Sequence, residues 1–344
     1  MQLGIIGSGS WGTALAKMLT DNGMHINWCV RGDETLQHIL KRHHNPNYLT
    51  SVAFDTNLLS LTTDAANTIR QSDHIVMVTP SAFVVQQLNG LRVEDLERKK
   101  IISAVKGMLP QHNQLLNDYL ASEYHFSIDN YFTIMGPCHA EEVAAERLSY
   151  LTFSGTNAEA TEDIARHFST AYINTIINTD IYGVQYAAIL KNIYAVASGI
   201  AHGKGYGDNF LSVLIANCAD EMAEFLKKVG IRNIDVGVHT ADKTQHKKSP
   251  NYAASVYLGD LLVTCYSLFS RNRTFGNMIG KGHSVLSAQL EMNMVAEGYN
   301  ASKSIYNINK EIQADMPIAK VVYEILWEKL PVATGLKRIE ECLI

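Results

Sequence analysis

A glycine-rich segment lies between a strand-like run and a helical stretch at the start of the chain, and it constrains the fold more than any other feature. Residues 2–6 form a short, mostly apolar strand, glycines follow at positions 7, 9 and 12, and a helical pattern begins at Thr13. In a dinucleotide-binding turn, Gly7 would reverse the chain tightly, Gly9 would let backbone approach a pyrophosphate, and Gly12 would let helix and strand pack closely. The N-terminus of the helix would present N–H groups and a partial positive charge to the phosphates. The pattern predicts a dinucleotide site, with an ordinary strand-to-helix turn as the alternative.

Length and charge narrow the class of protein. A chain of 344 residues with 47% hydrophobic composition predicts two domains with a cleft between them, because single cores stop growing near about 250 to 300 residues. The net charge of -5 gives no global attraction to nucleic acid or to an anionic membrane. No run approaches the ~18 apolar residues of a membrane span, and the first strand leaves no room for a signal peptide. We therefore expect a cytoplasmic protein that binds a small molecule, with no nucleic acid partner and no membrane span.

Cysteine and histidine spacing does not indicate a metal site. The five cysteines are scattered without a C-x-x-C pair, so neither a disulfide framework nor a zinc ribbon is indicated. His43 and His44 are adjacent, and adjacent residues on a helix do not converge on one ion. A solvated basic patch is the expected role of this segment, and we predict no bound metal.

The chain divides into two halves of different character. Between residues 1 and 177, strand-like runs alternate with helical or turn-rich segments, which is typical of a mostly parallel sheet with helices on both faces. The predicted strands are Leu3–Ile6, Ile26–Val30, His74–Val78, Ile101–Val105, Phe132–Met135 and Tyr150–Ser154. From Gly183 onward the sequence is typical of long helices separated by glycine loops. We predict an α/β, doubly wound domain of the Rossmann type over residues 1–182 and an all-α domain over 183–344.

A lysine in the middle of an apolar helix is the first candidate for chemistry. The stretch Val184–Ala201 carries apolar residues on every side, which predicts a helix buried all round, and Lys191 and Asn192 lie at its centre. Burying an ammonium group costs several kcal/mol unless it is paired, and desolvation lowers a lysine pKa. Lys191 is therefore a candidate acid or base near neutral pH, unless its head reaches solvent at a helix bend.

The helices predicted after Lys191 carry further polar residues, which are candidates for helix capping and for phosphate binding. Asp208 is expected to cap the helix that runs to about residue 229. A helix predicted from Leu258 toward Arg273 would place Asp260, Thr264 and Arg271 within about 40° of one another, so that a carboxylate, a hydroxyl and a guanidinium share one face. The guanidinium groups of this segment are forked donors suited to a phosphate, and a solvated polar stripe is the alternative.

Short motifs in a fixed order carry a family resemblance over almost the whole chain. They are Gly-Ser-Gly-Ser-Trp-Gly-Thr-Ala-Leu-Ala at 7–16, Lys106-Gly107, Gly136-Pro137 with Ala140-Glu141, Leu190-Lys191-Asn192, Gly207-Asp208-Asn209, Leu258-Gly259-Asp260-Leu261, Ser270-Arg271-Asn272-Arg273 with Phe275-Gly276, Val295-Ala296-Glu297-Gly298, and Met316-Pro317-Ile318. In these motifs the chain resembles the bacterial-type NAD(P)-dependent glycerol-3-phosphate dehydrogenases, which interconvert sn-glycerol 3-phosphate and dihydroxyacetone phosphate. The resemblance further implies a homodimer that supplies glycerol 3-phosphate for phospholipid synthesis.

The resemblance also implies roles for individual residues. Lys191 would be the catalytic proton donor or acceptor at the C2 oxygen of the substrate. With Thr264 from the predicted helical face, the substrate site would comprise Lys106, Gly136, Cys138, Lys191, Asn192, Asp260, Thr264, Ser270, Arg271 and Asn272. NAD or NADP would be held by Gly7, Gly9, Ser10, Trp11, Gly12, Arg31, Lys106, Ala140, Arg271, Val295 and Glu297.

Three features depart from the family pattern. The second predicted strand leads into Arg31 instead of the acidic residue that accepts a bond from an NAD ribose, so we expect relaxed use of NAD and NADP. Cys138 occupies a position where the family commonly has Ser or Thr, and at a helix N-terminus it is a candidate for oxidation. The segment 232–256 is longer than expected, and its role is open between a subunit contact, a cover over the cleft and a tolerated insertion.

Two other functions remain open at this stage. One is another two-domain dehydrogenase with a helical second domain, of the 3-hydroxyacyl-CoA or 6-phosphogluconate type. The other is a nucleotide-sensing protein without catalysis. The Ser270-Arg271-Asn272-Arg273 run favours a small phosphorylated substrate over an acyl-CoA, and a sensor has little need for a buried lysine.

Overall fold

The computed structural model describes residues 1–231, 254–292 and 296–343. The described residues form two compact units, Met1–Ile181 and Tyr182–Ile344. The predicted insertion 232–256 lies outside the described residues except for its last three positions, so its role stays open.

Within the described residues, the first unit is built on one eight-stranded sheet. The strand order is β3-β2-β1-β4-β5-β6-β7-β8, and each neighbouring pair is parallel except β6 with β7. The strands are β1 Leu3–Ile6, β2 Ile26–Cys29, β3 Leu59–Thr62, β4 His74–Met77, β5 Lys100–Ser103, β6 Tyr131–Met135, β7 Ser149–Ser154 and β8 Ile173–Asn178. The order of the strands reverses direction at β1, which lies between β2 and β4. This is the doubly wound arrangement that the alternating pattern predicts.

Helices and apolar side chains cover both faces of this sheet. The helices of this unit are α1 Ser10–Asp21, α2 Asp33–Arg42, α3 Ala65–Arg70, α4 Val84–Gln87, α5 Val93–Leu96, α6 Leu116–Tyr124, α7 Ala140–Ala144 and α8 Ala158–Arg166. Successive side chains of a strand point to opposite faces, so one core contains Ile5 and Phe132 and the other contains Ile6 and Tyr131. Burial on both faces explains why the inner strands are mostly apolar.

The second unit is helical in its described part. Its helices are α9 Ile181–Gly203, which begins at the last residue of the first unit, α10 Asp208–Lys228, α11 Asp260–Tyr266, α12 Arg271–Gly280, α13 Val285–Glu291, α14 Glu297–Ile312, α15 Pro317–Trp327 and α16 Val332–Cys342. A π-helical turn, Ala254–Gly259, precedes α11. The predicted order of an α/β unit followed by a helical unit is confirmed.

Helix α9 is the buried centre of the second unit. Every residue from Gly183 to Ala201 is buried except Tyr186, so the prediction of a helix buried on all sides is confirmed. A helix of this kind needs neighbours on every face, and it can approach one of them closely only where side chains are absent.

Four glycines bring the backbones of α9 and α12 into direct contact. A Cβ atom added to Gly199 would lie 2.1 Å from the carbonyl oxygen of Arg273, and one added to Gly276 would lie 2.1 Å from that of Val196. Gly203 and Gly280 show the same restriction, because a Cβ added to either would lie 2.3 Å from a backbone oxygen of the opposite helix. The glycines are four residues apart on each helix, so they line one face of each. Any larger residue at these positions would push the two helices apart.

The single helix predicted over residues 258–273 is wrong, because extended backbone at Ser267 (φ -67°, ψ 138°) separates α11 from α12. Asp260 and Thr264 lie on α11, whereas Arg271 is the first residue of α12. The predicted common helical face of these three side chains is therefore wrong for Arg271.

Two serine side chains explain the interruption. Ser267 Oγ accepts a hydrogen bond from the backbone N–H of Phe269 (3.1 Å), and Ser270 Oγ accepts one from the N–H of Arg273 (3.3 Å). Such local bonds compete with the helical backbone pattern and favour a helix start. Ser270 is the N-cap of α12 as a result.

The expected cap of α10 is also wrong. Gly207 occupies the N-cap position, no side chain caps the helix, and Asp208 is its first helical residue. The carboxylate in the first turn still complements the partial positive charge of the helix N-terminus.

Substitution of Gly276 by Ala tests the contact between α9 and α12. Its added methyl group has no space beside the Val196 carbonyl, so we expect a loss of about 1–3 kcal/mol in the free energy of unfolding, measured by urea denaturation. Gly207→Ala is the matched control, because no atom lies within 4 Å of its added Cβ. Its loss should be smaller, up to about 1 kcal/mol, since alanine is a poorer N-cap residue than glycine. Equal unfolding free energies for the two variants would contradict the proposed restriction.

Candidate functional site

The glycine turn after β1 has the geometry that a dinucleotide cradle requires. Gly7 has a φ of +126°, which L side chains rarely adopt, and a Cβ added to Gly12 would lie 2.3 Å from the Gly7 carbonyl oxygen. No atom lies within 4 Å of the position that a Cβ would take at Gly9. The backbone is therefore tightly packed between Gly7 and Gly12, whereas the space beside Gly9, where a phosphate would approach, is open. These observations fit a bound dinucleotide.

Side chains from other segments hold the backbone of this turn. Trp28 on β2 donates its indole N–H to the Gly7 carbonyl oxygen (2.9 Å), and the backbone N–H of Arg31 donates to Ser8 Oγ (3.0 Å). Asn45 donates its amide to the Ser8 carbonyl oxygen (3.0 Å). Sequence reasoning did not identify Trp28 or Asn45, since neither lies near the glycines in the chain.

The other predicted cofactor and substrate residues of the first unit follow the carboxyl ends of strands. Arg31 follows β2, Lys106 follows β5, and Gly136 follows β6. Ligands of open parallel sheets bind at this edge. Gly136 has a φ of +122°, and a Cβ added there would lie 3.0 Å from the Tyr150 carbonyl oxygen, so the position requires glycine. The buried Cys138 follows, and Ala140 is the first residue of α7.

Trp11 and Lys106 contact each other in the first unit. The Lys106 ammonium lies 5.0 Å from the centroid of the Trp11 ring, which is a cation–π distance. The indole Nε1 of Trp11 is buried and has no hydrogen-bond partner within the described ranges. This orphaned donor, on the first turn of α1, is consistent with a polar ligand at the glycine turn.

A buried ion pair forms the chemical centre of the second unit. Lys191 Nζ on α9 lies 2.5 Å from Asp260 Oδ2 on α11, and the two side chains are 4% and 2% exposed. The alternative that the ammonium reaches solvent is therefore wrong. Thr264 donates its hydroxyl to the backbone carbonyl of Asp260 (2.6 Å), so its oxygen can only accept further bonds. Removing one partner of such a pair costs about 3–5 kcal/mol, because it leaves an uncompensated buried charge.

Two asparagines connect this ion pair to the starts of α12 and α14. Asn272 donates to Asn192 Oδ1 (2.8 Å), and its own Oδ1 accepts the backbone N–H of Gly298 (2.9 Å). A Cβ added to Gly298 would lie 2.5 Å from the Asn192 carbonyl oxygen. Since Asn192 follows Lys191 on α9, these contacts fix α9 against α12 and α14 at the level of the lysine.

The N-terminus of α12 is suited to bind an anion. Ser270 is its N-cap and Arg271 its first residue, so a guanidinium lies where the helix dipole is positive. Glu297 begins α14 in the same unit, while Val295 lies outside the described residues. The structure thus gathers Asn192, Asp260, Thr264 and Asn272 in the second unit, and the ligand roles of the site residues stay predictions.

A buried carboxylate that sequence reasoning missed lies on the same helical scaffold. Glu221 on α10 accepts the backbone N–H groups of Ile318 (2.8 Å) and Ala319 (2.9 Å) and the hydroxyl of Tyr194 (3.2 Å). Burial raises the pKa of Glu221 to about 8, while these three donors act in the opposite direction. Because Tyr194 lies on α9, Glu221 joins α9, α10 and the N-terminus of α15.

Metal ligands and membrane-spanning helices are two further features that would indicate a class of ligand. Among residues 1–231, 254–292 and 296–343, no three His, Cys, Asp or Glu side chains are placed to hold a metal ion. Across that same part of the chain, no helix has the length and apolar composition that crossing a bilayer requires.

Comparison with known proteins identifies relatives over nearly the whole chain. The family model for the NAD-dependent glycerol-3-phosphate dehydrogenase N-terminus matches residues 2–161, and the model for the C-terminus matches residues 180–337. A glycerol-3-phosphate dehydrogenase (NAD(P)+) of Chlorobium limicola is 31% identical over 96% of this chain and 95% of the relative. One from Streptococcus pneumoniae is 32% identical over 94% and 91%. The crystal structure of glycerol-3-phosphate dehydrogenase from Coxiella burnetii has the same fold, with a TM-score of 0.86, 24% identity and coverage of 99% and 98%.

Glu221→Gln tests the buried carboxylate through the pH dependence of stability. The pKa of Glu221 rises from an ordinary value of 4.5 to about 8 on folding, so the folded chain holds a proton that the unfolded chain releases between these values. Its contribution to stability is complete below pH 4.5 and is lost as pH rises through 8. We expect thermal unfolding at pH 5 to 9 to show a weaker decline with rising pH in the variant.

The exposed Glu224 on the same helix gives the control, as Glu224→Gln removes a carboxylate that is 39% exposed. This control should retain the slope of the original protein. An unchanged slope in Glu221→Gln would mean that the buried carboxyl titrates at its ordinary pKa.

Proposed function

The chain belongs to the NAD-dependent glycerol-3-phosphate dehydrogenase family, and on that premise we propose that it interconverts sn-glycerol 3-phosphate and dihydroxyacetone phosphate with NAD or NADP. The observation that carries the catalytic part of this proposal is the buried ion pair between Lys191 and Asp260. When bound, the nicotinamide group supplies or accepts the hydride.

Lys191 stabilises and then neutralises the charge that develops on the substrate. Reduction of the C2 ketone places negative charge on its oxygen, and a positioned ammonium stabilises that oxygen and then gives it a proton. In the opposite direction, the neutral amine accepts the proton of the C2 hydroxyl. Asp260 pairs with Lys191 and holds Nζ in one position, since a buried ammonium needs a partner.

The start of α12 binds the phosphate that does not react. Arg271 supplies forked N–H donors beside the positive end of the helix, and phosphate oxygens accept such bonds in pairs. Asn272 has one amide hydrogen left after its bonds to Asn192 and Gly298, and this hydrogen is available to a phosphate oxygen. Anchoring the phosphate fixes the reacting carbon and removes much of the entropic cost of the reaction.

The glycine turn and Arg31 accommodate both nucleotides. The open space at Gly9 and the uncapped N-terminus of α1 suit the pyrophosphate of either cofactor. Arg31, which follows β2, would pair with a 2′-phosphate or stack on adenine, and the chain has no acidic residue at that position to select NAD. Both NAD and NADP are therefore proposed as cofactors.

Family membership decides against the 3-hydroxyacyl-CoA and 6-phosphogluconate dehydrogenases as alternatives. A nucleotide sensor without catalysis is disfavoured by the buried Lys191, whose burial is costly and serves no purpose in binding alone. From the family resemblance we also propose a cytoplasmic homodimer that supplies glycerol 3-phosphate for phospholipid synthesis. Light scattering of the purified protein would test the dimer.

Initial rates with dihydroxyacetone phosphate test the proposed reaction directly. We expect oxidation of both NADH and NADPH that depends on dihydroxyacetone phosphate and is absent with acetoacetyl-CoA. Cofactor binding without any substrate-dependent oxidation would instead support the sensor function.

Replacing Lys191 with Ala should abolish turnover while leaving cofactor binding within twofold. General acid catalysis contributes about 10² to 10⁴ in rate, so kcat should fall by at least about 100-fold. Lys204→Ala, at an exposed lysine after α9, is the control and should keep its kcat. If the single variant unfolds, Lys191→Met combined with Asp260→Asn removes both buried charges, and its kcat is compared with that of Asp260→Asn alone. Near-normal turnover in a folded variant would remove Lys191 from the mechanism.

Replacing Arg271 with Ala should mainly raise the KM for dihydroxyacetone phosphate. Charge-assisted hydrogen bonds contribute about 1.5–3 kcal/mol, which corresponds to a rise of roughly 10- to 100-fold. Arg271→Lys, which retains the charge without the fork, should give an intermediate value. An unchanged KM would exclude the phosphate role.

A further inference from the structure

Asn45 lies outside every motif of the sequence, yet its side chain touches the backbone of the glycine turn. We propose that Asn45 is a positioning residue for nucleotide binding, which fixes the direction of the peptide between Ser8 and Gly9. The inference rests on the proposed binding of NAD or NADP at this turn. It adds a residue that neither the glycine pattern nor the proposed mechanism contains.

All the hydrogen-bonding capacity of the Asn45 amide is used. The residue is 0% exposed, and its Nδ2 donates to the Ser8 carbonyl oxygen (3.0 Å) and to Thr13 Oγ1 (2.9 Å). Its Oδ1 accepts the backbone N–H groups of Asn47 (3.0 Å) and Tyr48 (3.3 Å). A buried amide with four partners is costly to replace, because each partner left behind is an unsatisfied polar group.

The bond to Ser8 determines where the next N–H group points. The chain has no cis peptide bond among its described residues, and in a trans peptide the C=O and the following N–H point in opposite directions. With the Ser8 carbonyl directed at Asn45, the Gly9 N–H is directed away from it. Since the space at Gly9 is open, this N–H is available to a pyrophosphate oxygen.

The bond to Thr13 fixes the first turn of α1 to the same amide. Thr13 is 0% exposed, and its backbone N–H donates to the Gly9 carbonyl oxygen (2.9 Å). Asn45 therefore spans the turn from Ser8 to the first turn of the helix. Rotation of the Ser8–Gly9 peptide would break one of its bonds without offering a replacement.

The segment that carries Asn45 is itself held in place. Its two ends are joined by a hydrogen bond from the Phe54 N–H to the His43 carbonyl oxygen (2.7 Å). The Phe54 ring packs on Trp28, with centroids 5.3 Å apart, and Trp28 holds the Gly7 carbonyl. Two consecutive carbonyls of the turn are thus held by Trp28 and Asn45, whose segments contact each other.

Only an asparagine of this reach satisfies all four partners. Aspartate would place a carboxylate oxygen against the Ser8 carbonyl oxygen, and the two would repel each other. Leucine would leave the Ser8 carbonyl, the Thr13 hydroxyl and two backbone N–H groups without their partner. The expected effect of removing the amide is a turn with more than one peptide orientation, which reduces the fraction competent to bind nucleotide. Catalysis from the bound state does not involve Asn45.

The test measures nucleotide binding and turnover separately in Asn45→Ala. We expect calorimetric titration to show a Kd for NADH and NADPH at least tenfold higher than that of the original protein. At saturating nucleotide, kcat and the KM for dihydroxyacetone phosphate should stay within twofold. If Asn45 had only a structural role, its substitution would lower the fraction of active protein. The nucleotide Kd would then not change separately from the KM for dihydroxyacetone phosphate.

Asn27→Ala is the matched control. Asn27 is also a buried asparagine of the first unit, and its amide donates to Ser72 Oγ (3.1 Å) and the Gln71 carbonyl (3.3 Å), away from the glycine turn. Its nucleotide Kd should stay within twofold. If both asparagine variants raise the Kd equally, the effect is general destabilisation and the proposal is wrong.

A second variant keeps the proposal testable if Asn45→Ala does not fold. Thr13→Val preserves shape and removes one acceptor of the Asn45 amide, so we expect a Kd at least threefold higher. A Kd within twofold in a folded Asn45→Ala, or in Thr13→Val when that variant alone folds, overturns the proposal. If the original protein binds neither nucleotide, the proposed function fails instead, so the two failures are distinguishable.

Discussion

The burial of two opposite charges, on Lys191 and Asp260, is the constraint on which the helical unit depends. Removing a charge from water costs several kcal/mol, and the attraction between the partners offsets this cost only when their positions are held closely. The positions are held here by helices: α9 carries the lysine, α11 carries the carboxylate, and glycine contacts set the distance between the axes of α9 and α12. The hydrogen bond that the Asn272 amide donates to Asn192 Oδ1 extends this control to the start of α12, where an anion is expected. The contacts that pack the helices of this unit therefore also hold its charged groups in position.

The first unit depends on a different constraint, because the peptide groups of its glycine turn must point in fixed directions. The glycines of the turn have no side chains to hold them, and their conformational freedom opposes binding unless other residues restrict it. Trp28 and Asn45 provide this restriction by binding consecutive carbonyls of the turn. In both units, the residues with predicted ligand roles are held in place by buried hydrogen bonds or ion pairs with other segments of the chain.

The sequence predicts the features whose causes are local. The glycine turn, six strands and the buried helix around Lys191 all follow from short patterns. The two strands that were missed, β3 and β8, are the edge strands of the sheet, and most of their residues are half-buried or exposed, so neither is a continuous apolar run. The helix break before Arg271 depends on hydrogen bonds that serine side chains accept from the backbone. The hydrophobic periodicity of the sequence does not predict such bonds. Asn45 and Glu221 act on partners 37 and 97 residues away, and that proximity exists only after folding.

The contact between α9 and α12 has a consequence for the genetics of the chain. The atoms that face its four glycines are main-chain carbonyls, which are the same whatever residue occupies the facing position. A larger residue at Gly276 therefore cannot be compensated by a smaller side chain on the opposite helix. Suppression would require the whole of α9 to move, and Lys191 would move with it. A second substitution that only shortens a side chain on the facing helix should therefore not restore the stability that a larger residue at these positions loses.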